Sequence, residues 1–196
     1  MNALENLTQI LSKLPGIGSK SASRLAFFLV KSPNGYNEIL SETIRTIKEK
    51  VHPCSICGSY TENDPCPVCS DIKRDKTTLC VVESASDVIT IQNAGVYNGL
   101  FHVLGGAINP LNGVGPENLR FKELIQRVNE GSFKEIIIAT NPTEEGDTTA
   151  LYIRHLLKGK EGLTLTRLAS GLPIGGDIEY ADKTTLSHSL RGRITF

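Results

Sequence analysis

A chain of 196 residues with 39% hydrophobic and 21% charged side chains has the balance of a folded globular protein and excludes a disordered or low-complexity one. Its 21 Lys and Arg are matched by 21 Asp and Glu, so no global basic field marks a nucleic-acid partner, and any such site must be local. The sequence lacks both a run of about 18 apolar residues to cross a bilayer and a basic, apolar leader, and the expectation is a cytoplasmic location with no membrane partner.

From Leu4 to Lys50 apolar residues recur at helical spacing, interrupted at Pro15–Gly18 and at Ser32-Pro33-Asn34-Gly35, which predicts three helices. Residues 1–53 carry seven Lys or Arg against four acids, a local balance of +3. The first interruption, Leu14-Pro15-Gly16-Ile17-Gly18, has a mechanical use. Pro15 resists continuing the first helix, Gly16 and Gly18 permit positive φ and close approach of another backbone, and Ser19 is a candidate cap for the second helix. The N–H groups at that helix start then face outward, where the helix dipole favours a phosphate. At about 100° per residue, Ala22, Leu25, Ala26 and Leu29 share one side, while Lys20, Arg24 and Lys31 lie within about 40° of one another on the opposite side. Such a stripe is often only a solvated face. The Leu-Pro-Gly-Ile-Gly turn followed by Lys20 and Arg24 resembles the helix-hairpin-helix motif of DNA repair proteins, and this resemblance makes Gly16, Gly18, Lys20 and Arg24 the candidate DNA-binding residues. Phe27, between the basic positions on the wheel, suits stacking on a base or, preferably, a subunit interface.

Residues 53–70 are rich in Cys and Pro, show little periodicity and cannot supply a core. Cys54-Ser-Ile-Cys57 and Cys66-Pro-Val-Cys69, eight residues apart, supply four thiolates for tetrahedral Zn²⁺ and leave no open position for water, so the metal is expected to be structural. An iron–sulfur cluster, or thiols unrelated to metal, are the alternatives. Cys80, between Leu79 and Val81, reads as a core residue, and His52 is not needed as a ligand.

From Thr78 onward short apolar runs alternate with helix-like stretches. Leu79–Val82, Leu100–Leu104, Glu135–Ala139 and Leu163–Leu168 read as strands of a parallel α/β sheet. The Gly-rich tail beyond Ser170 is assigned only as an edge strand or an arm. Val81-Val82-Glu83 and the stretch Ile136 to Asp147 look like a Toprim domain, whose catalytic members hold Mg²⁺ with a Glu after the first strand and an Asp-x-Asp after the later one. Here the two Asp positions fall on Asn141 and Thr143, which puts nicking, strand passage and primer synthesis in doubt. Of the remaining acids, Glu83, Asp87, Glu144, Glu145 and Asp147 could form a weak metal site. Glu145 and Asp147 are more simply first-turn acids complementing a helix dipole, and Glu83 and Glu144 are the candidate partner-binding residues, facing a basic protein.

The expected architecture is therefore multi-module, α+β and α/β. It comprises a helix-hairpin-helix region (1–53), a C4 zinc finger (54–70), a Toprim-type parallel sheet (78–173) and a C-terminal segment (174–196) expected to act as an oligomerisation arm. Modules of these kinds in this order and at this length resemble the RecR family of bacterial recombination mediators over nearly the whole chain. The tail agrees, with Gly171-Leu-Pro-Ile-Gly-Gly-Asp-Ile-Glu-Tyr180 and Thr184-Thr-Leu-Ser-His-Ser-Leu-Arg-Gly-Arg193 similar to that family's C-terminal segment. The resemblance implies a non-enzymatic, ring-forming homotetramer that binds DNA and works with RecO, and in some bacteria RecF, to load RecA onto single strands coated by SSB. Two competing readings are a metal-dependent Toprim nuclease or primase-like enzyme, and a DNA-independent scaffold.

Overall fold

The computed structural model describes residues 2–195. The chain forms two compact units, one ending at Val51 and the other beginning at His52. In the first unit, α1 (Ala3–Leu11) starts from a capping box in which Asn2 Oδ1 accepts from the Glu5 N–H and Glu5 answers to the Asn2 N–H. Helices α2 (Ser19–Lys31) and α3 (Asn34–Lys50) follow. All three expected helices are present, although the second break is shorter than predicted: Pro33 serves as the N-cap and Asn34 and Gly35 already belong to α3. The unit is thinly cored. Ala22, Ala26 and Thr46 are buried, while Phe27, Phe28, Val30, Ile39 and Ile44 are exposed.

The second unit opens with a two-stranded antiparallel hairpin, β1 (His52–Pro53) and β2 (Tyr60–Thr61), followed by the short helix α4 (Pro67–Ser70). Its body is a four-stranded, wholly parallel sheet in the order β4-β3-β5-β6, formed by β3 (Asp75–Val82), β4 (Gly99–Val103), β5 (Glu135–Ala139) and β6 (Thr164–Arg167). Parallel strands covered on both faces must be apolar at successive positions, which is why these segments read as continuous apolar runs. The two-residue alternation then sorts them. Leu79, Val81, Ile136 and Ile138 point to the side covered by α6 (Phe121–Glu130) and α7 (Glu144–Leu156), packing with Leu124, Val128 and Ile153. Cys80, Val82, Phe101, Val103 and Ala139 point to the other side, where Val88 and Ile91 of α5 (Ala85–Ala94) and Val68 of α4 complete the layer. The zinc-module segment is thus part of the cover of this sheet.

After β3 the chain moves outward to β4, and after β4 it crosses back to β5 on the far side of β3. The β3/β5 crevice at the carboxyl ends is therefore the switch point, the place where open α/β sheets bind their ligands. Glu83 follows β3 there, and Asn141 lies two residues past β5. The tail, expected as an edge strand or an arm, forms no strand among the described residues and carries a helix. Lys183–Arg191 form the helix α8, because Asp182 caps it by accepting from the Thr184 and Thr185 N–H groups at 2.8 and 2.9 Å. No described helix is long and apolar enough to cross a membrane.

Candidate functional site

The hairpin turn in the first unit is closed by an Ile17 N–H to Leu14 carbonyl bond of 3.0 Å, with Gly16 at φ +79°. Only a residue without a Cβ adopts that angle at little cost. Ser19 does not cap α2 as expected. Gly18 holds the N-cap position with extended angles and no side-chain bond, and its carbonyl accepts the first helical bond, from Ala22, at 2.9 Å. The turn geometry sets the start of the helix one residue early, and a glycine has no oxygen to offer. The helix start thus lacks a side-chain cap beside two glycines with open space around them. Lys20, Arg24 and Lys31 are exposed, and among the described residues none has an acidic partner. Ala22 and Ala26 form the opposed buried stripe, whereas of the two leucines expected with them Leu25 is exposed and Leu29 half-buried.

In the second unit the sulfurs of Cys54, Cys57, Cys66 and Cys69 all lie within 4.8 Å of one another, and the first three residues are buried. Zinc–sulfur bonds of about 2.3 Å in a tetrahedron set sulfurs about 3.8 Å apart; Cys57 and Cys66 Sγ are at 3.5 Å. Backbone N–H groups are aimed at the cluster, from Cys66 to Cys54 Sγ at 3.3 Å and from Ser59 to Cys57 Sγ at 3.5 Å. Such donors favour thiolate, so the donor set fits a structural zinc ion. Hydrogen bonding from the Cys69 thiol, with help from the Ser59 N–H, brings Cys57 down to about 5, while burial pushes Cys66 up to about 11.

The knuckle turns through Gly58 at φ +78°, where a Cβ would meet Arg120 Nε at 2.7 Å and the Val103 carbonyl at 3.1 Å. Just before it, the Cys57 carbonyl accepts the Val103 N–H at 2.7 Å, tying the module to the end of β4. His102, on the same strand, is fully buried. Its Nε2 donates to the Arg120 carbonyl at 2.9 Å, since a carbonyl only accepts, and Nδ1 has no partner among the described residues. Burial pushes this imidazole down to about 4.

At the switch-point crevice, Glu83 Oε1 accepts from the Asn141 backbone N–H at 2.8 Å and Oε2 accepts from Asn141 Nδ2 at 2.6 Å. Thr143 caps α7, its hydroxyl accepting the Gly146 N–H at 3.1 Å. A Cβ on Gly146 would collide with the Asn141 carbonyl, so the helix start rests directly on this residue. Other acids nearby are engaged as well. Asp147 pairs with Arg167 at 2.5 Å, Glu145 accepts from Asn109 at 3.3 Å, and Asp87 accepts from Ser84. Glu144, exposed at the first position of α7, has no side-chain partner among the described residues. The Mg²⁺ that a Toprim domain implies does not fit here: Glu83 is satisfied on both oxygens by an amide, and Thr143 spends its hydroxyl on the helix.

Comparison with known proteins decides the family. Residues 4–48 match the RecR helix-hairpin-helix, 51–71 the RecR four-cysteine zinc finger domain, 77–169 the Toprim domain and 171–194 the RecR C-terminal segment. The Recombination protein RecR of Treponema denticola is 54% identical over the full length of both chains. That of Treponema pallidum is 50% identical, with 97% of this chain and 94% of the relative covered, and that of Moorella thermoacetica is 50% identical, with 97% and 95% covered. The chain belongs to the RecR family. Membership places it in recombination and repair, and the expected fold class is borne out, with the three named modules in order along the chain.

Several residues that shape a RecR chain carry no signal in the sequence. Arg120 and His102 are separated by 18 positions and meet only because β4 and the start of α6 converge behind the knuckle. Asn141 reads in sequence only as a missing acid, and its bond to Glu83 depends on the parallel register that sets Val82 beside Ala139.

Proposed function

We propose that this chain is a non-enzymatic DNA-binding recombination mediator that acts with RecO, as members of its family do in some bacteria together with RecF, to help load RecA onto single-stranded DNA coated by SSB. What supports the reading is the first unit. Lys20 and Arg24, without an acidic partner among the described residues, stand in the first two turns of α2 beside an uncapped helix start and an open glycine turn, with Lys31 farther along the same helix, an arrangement suited to phosphate and carrying no sequence information. Gly16, Gly18, Lys20 and Arg24 are the proposed contacts. Replacing Lys20 and Arg24 by Ala is expected to weaken binding to all DNA sequences alike. The log–log salt dependence should flatten by about one for each phosphate that is no longer neutralised. Unchanged affinity at low salt would move the DNA site elsewhere.

Cys54, Cys57, Cys66 and Cys69 are the proposed ligands of about one zinc per chain, with a structural role. Self-association is supported by the thin core of the first unit and by the apolar residues left exposed there and in the tail, among them Phe27, Ile39, Ile174 and Tyr180, and a homotetrameric ring is the proposed form of it. A mass measurement of the pure protein tests it. For the partner, Glu83 and Glu144 are the proposed docking residues, with Glu144 the more open of the two. Charge reversal by Glu144→Lys is expected to abolish RecO binding while sparing zinc content, assembly and DNA binding by the isolated protein. Partner affinity that survives this change rules the docking site out. The competing Toprim nuclease or primase reading requires a divalent-metal-dependent product, and its appearance with pure protein would replace the mediator reading. The proposed location is the cytoplasm.

A further inference from the structure

We propose that the Asn141 side-chain amide is a built-in substitute for a divalent cation at the switch point, so that this Toprim domain is kept in working shape without metal and is one atom exchange away from needing it. A cation at such a crevice has two mechanical tasks: it neutralises a carboxylate at the end of the first strand, and it joins that carboxylate to the turn after the neighbouring strand. Asn141 performs the joining directly, and meets the Glu83 carboxylate with two hydrogen bonds instead of a positive charge. Its Nδ2 donates to Glu83 Oε2 at 2.6 Å and its backbone N–H donates to Oε1 at 2.8 Å, which bridges the end of β3 to the turn after β5. The turn has little freedom to do otherwise. The absent Cβ of Gly146 lets α7 press onto the Asn141 carbonyl, Thr140 Oγ1 donates to the Gly146 carbonyl at 2.8 Å, and the Thr143 hydroxyl is committed to the Gly146 N–H. In the same rotamer, an oxygen in place of Nδ2 lies within hydrogen-bond distance of Glu83 Oε2.

The exchange that makes this visible is Asn141→Asp, which swaps a donor for an acceptor at constant size. Two carboxylates held this close cannot both be ionised comfortably, so one must take a proton, or a hard cation must lie between them. Thermal unfolding of the full-length protein, with zinc left in place, is measured with and without millimolar Mg²⁺. The wild type is expected to unfold at the same temperature in both buffers. Asn141→Asp is expected to unfold several degrees lower without Mg²⁺ and to recover with it, with stability in metal-free buffer rising as pH falls through the carboxylate range. Glu83→Gln combined with Asn141→Asp removes the like-charge contact, and is expected to recover stability without Mg²⁺ and to lose the Mg²⁺ response.

A wild-type unfolding temperature that rises with Mg²⁺ as much as the variant's would overturn the proposal, because the native crevice would then hold a cation itself. It is equally overturned if Asn141→Asp is destabilised but blind to Mg²⁺, or if it matches the wild type in both buffers. Should Asn141→Asp fail to fold in metal-free buffer, the yield on refolding with and without Mg²⁺ decides the same question, and the double variant reports independently. None of these readouts involves DNA, so they stand or fall apart from the mediator reading.

Discussion

Gly16 and Gly58 have nearly the same backbone angle, φ +79° and +78°, and opposite surroundings. Around Gly16 no heavy atom lies within 4 Å of where a Cβ would be, whereas at Gly58 the same position is pressed by Arg120 and the Val103 carbonyl. The left-handed turn is the same device used for two purposes. In the hairpin it holds backbone outward, and whatever fills the space must come from outside the unit. In the knuckle it folds the backbone under its own chain, so that the four sulfurs converge and the module can seat on β4. An open turn on a thinly buried unit and a closed turn on a well-buried one predict that perturbations of the knuckle fall on stability, and perturbations of the hairpin on binding.

The largest effect is expected from Cys57→Ser. It removes the sulfur that accepts the Ser59 N–H and one of four proposed zinc ligands. The loss should be on the order of 5 kcal/mol, a fraction of the ~10–16 kcal/mol that structural zinc contributes to isolated fingers. Disorder should centre on residues 53–70 but not stop there, since Val68 packs in the sheet layer and the Val103 N–H bonds to the Cys57 carbonyl. Hydrogen exchange is expected to show the Val103 amide losing protection while Ile136 and Ile138 keep theirs. Protection lost equally throughout the sheet would mean that the module is integral to the main core, and a fully protected Val103 would mean that the seat on β4 contributes nothing.

Acid separates the two regions next. Behind the knuckle, His102 is held down to about 4 by burial, against about 6.5 in an unfolded chain. Above pH 6.5 the imidazole is neutral in both states and costs nothing. As pH falls from 6.5 towards 4 the unfolded chain binds a proton that the folded one refuses, so stability declines across that window and levels off below it. The decline attributable to this one group is on the order of 3 kcal/mol. His102→Gln should remove most of the slope. Residues 1–51 contain no histidine, so the hairpin should show no transition there. An unchanged slope in the variant would assign the acid sensitivity to other groups.

What was legible in the sequence follows the range of the forces involved. The four sheet strands were readable because their apolar runs serve a large core, and the three N-terminal helices because apolar periodicity and the Pro-Gly breaks between them are local signals that need no large core. The thiol cluster was readable because CxxC spacing fixes two ligands at a time. The N-cap of α2 was misplaced by one residue, since the propensity of Ser19 favoured capping while the closure of the Leu14–Ile17 turn put Gly18 there. The helix at the tail was missed although Asp182 before Thr184 and Thr185 is a capping signal, because the Gly-rich approach masked it. The engagement of Glu83 by Asn141 was beyond reach, because it depends on strand register and on a helix pressing against a turn.

The two glycines themselves should respond oppositely to a single methyl group. Gly58→Ala must bear the left-handed backbone, roughly 1 kcal/mol or slightly more, together with contacts of 2.7 Å to Arg120 Nε and 3.1 Å to the Val103 carbonyl. The arginine could swing away, but its Nε is buried and the carbonyl belongs to the sheet, so another ~1–2 kcal/mol of overpacking is expected, with easier zinc loss. Gly16→Ala bears only the backbone strain, ~1 kcal/mol, because nothing stands in its way. Its larger consequence should be on DNA. A methyl group at the apex of the turn obstructs the approach of a phosphate to the α2 N–H groups, and affinity is expected to fall roughly tenfold, ~1.4 kcal/mol, with the salt slope unchanged because no cation is lost. The two measurements together, melting temperature and low-salt affinity for each variant, should give crossed results. If Gly16→Ala binds DNA as well as the wild type, the open turn is not a phosphate seat, and the basic face of α2 would have to bind by charge alone.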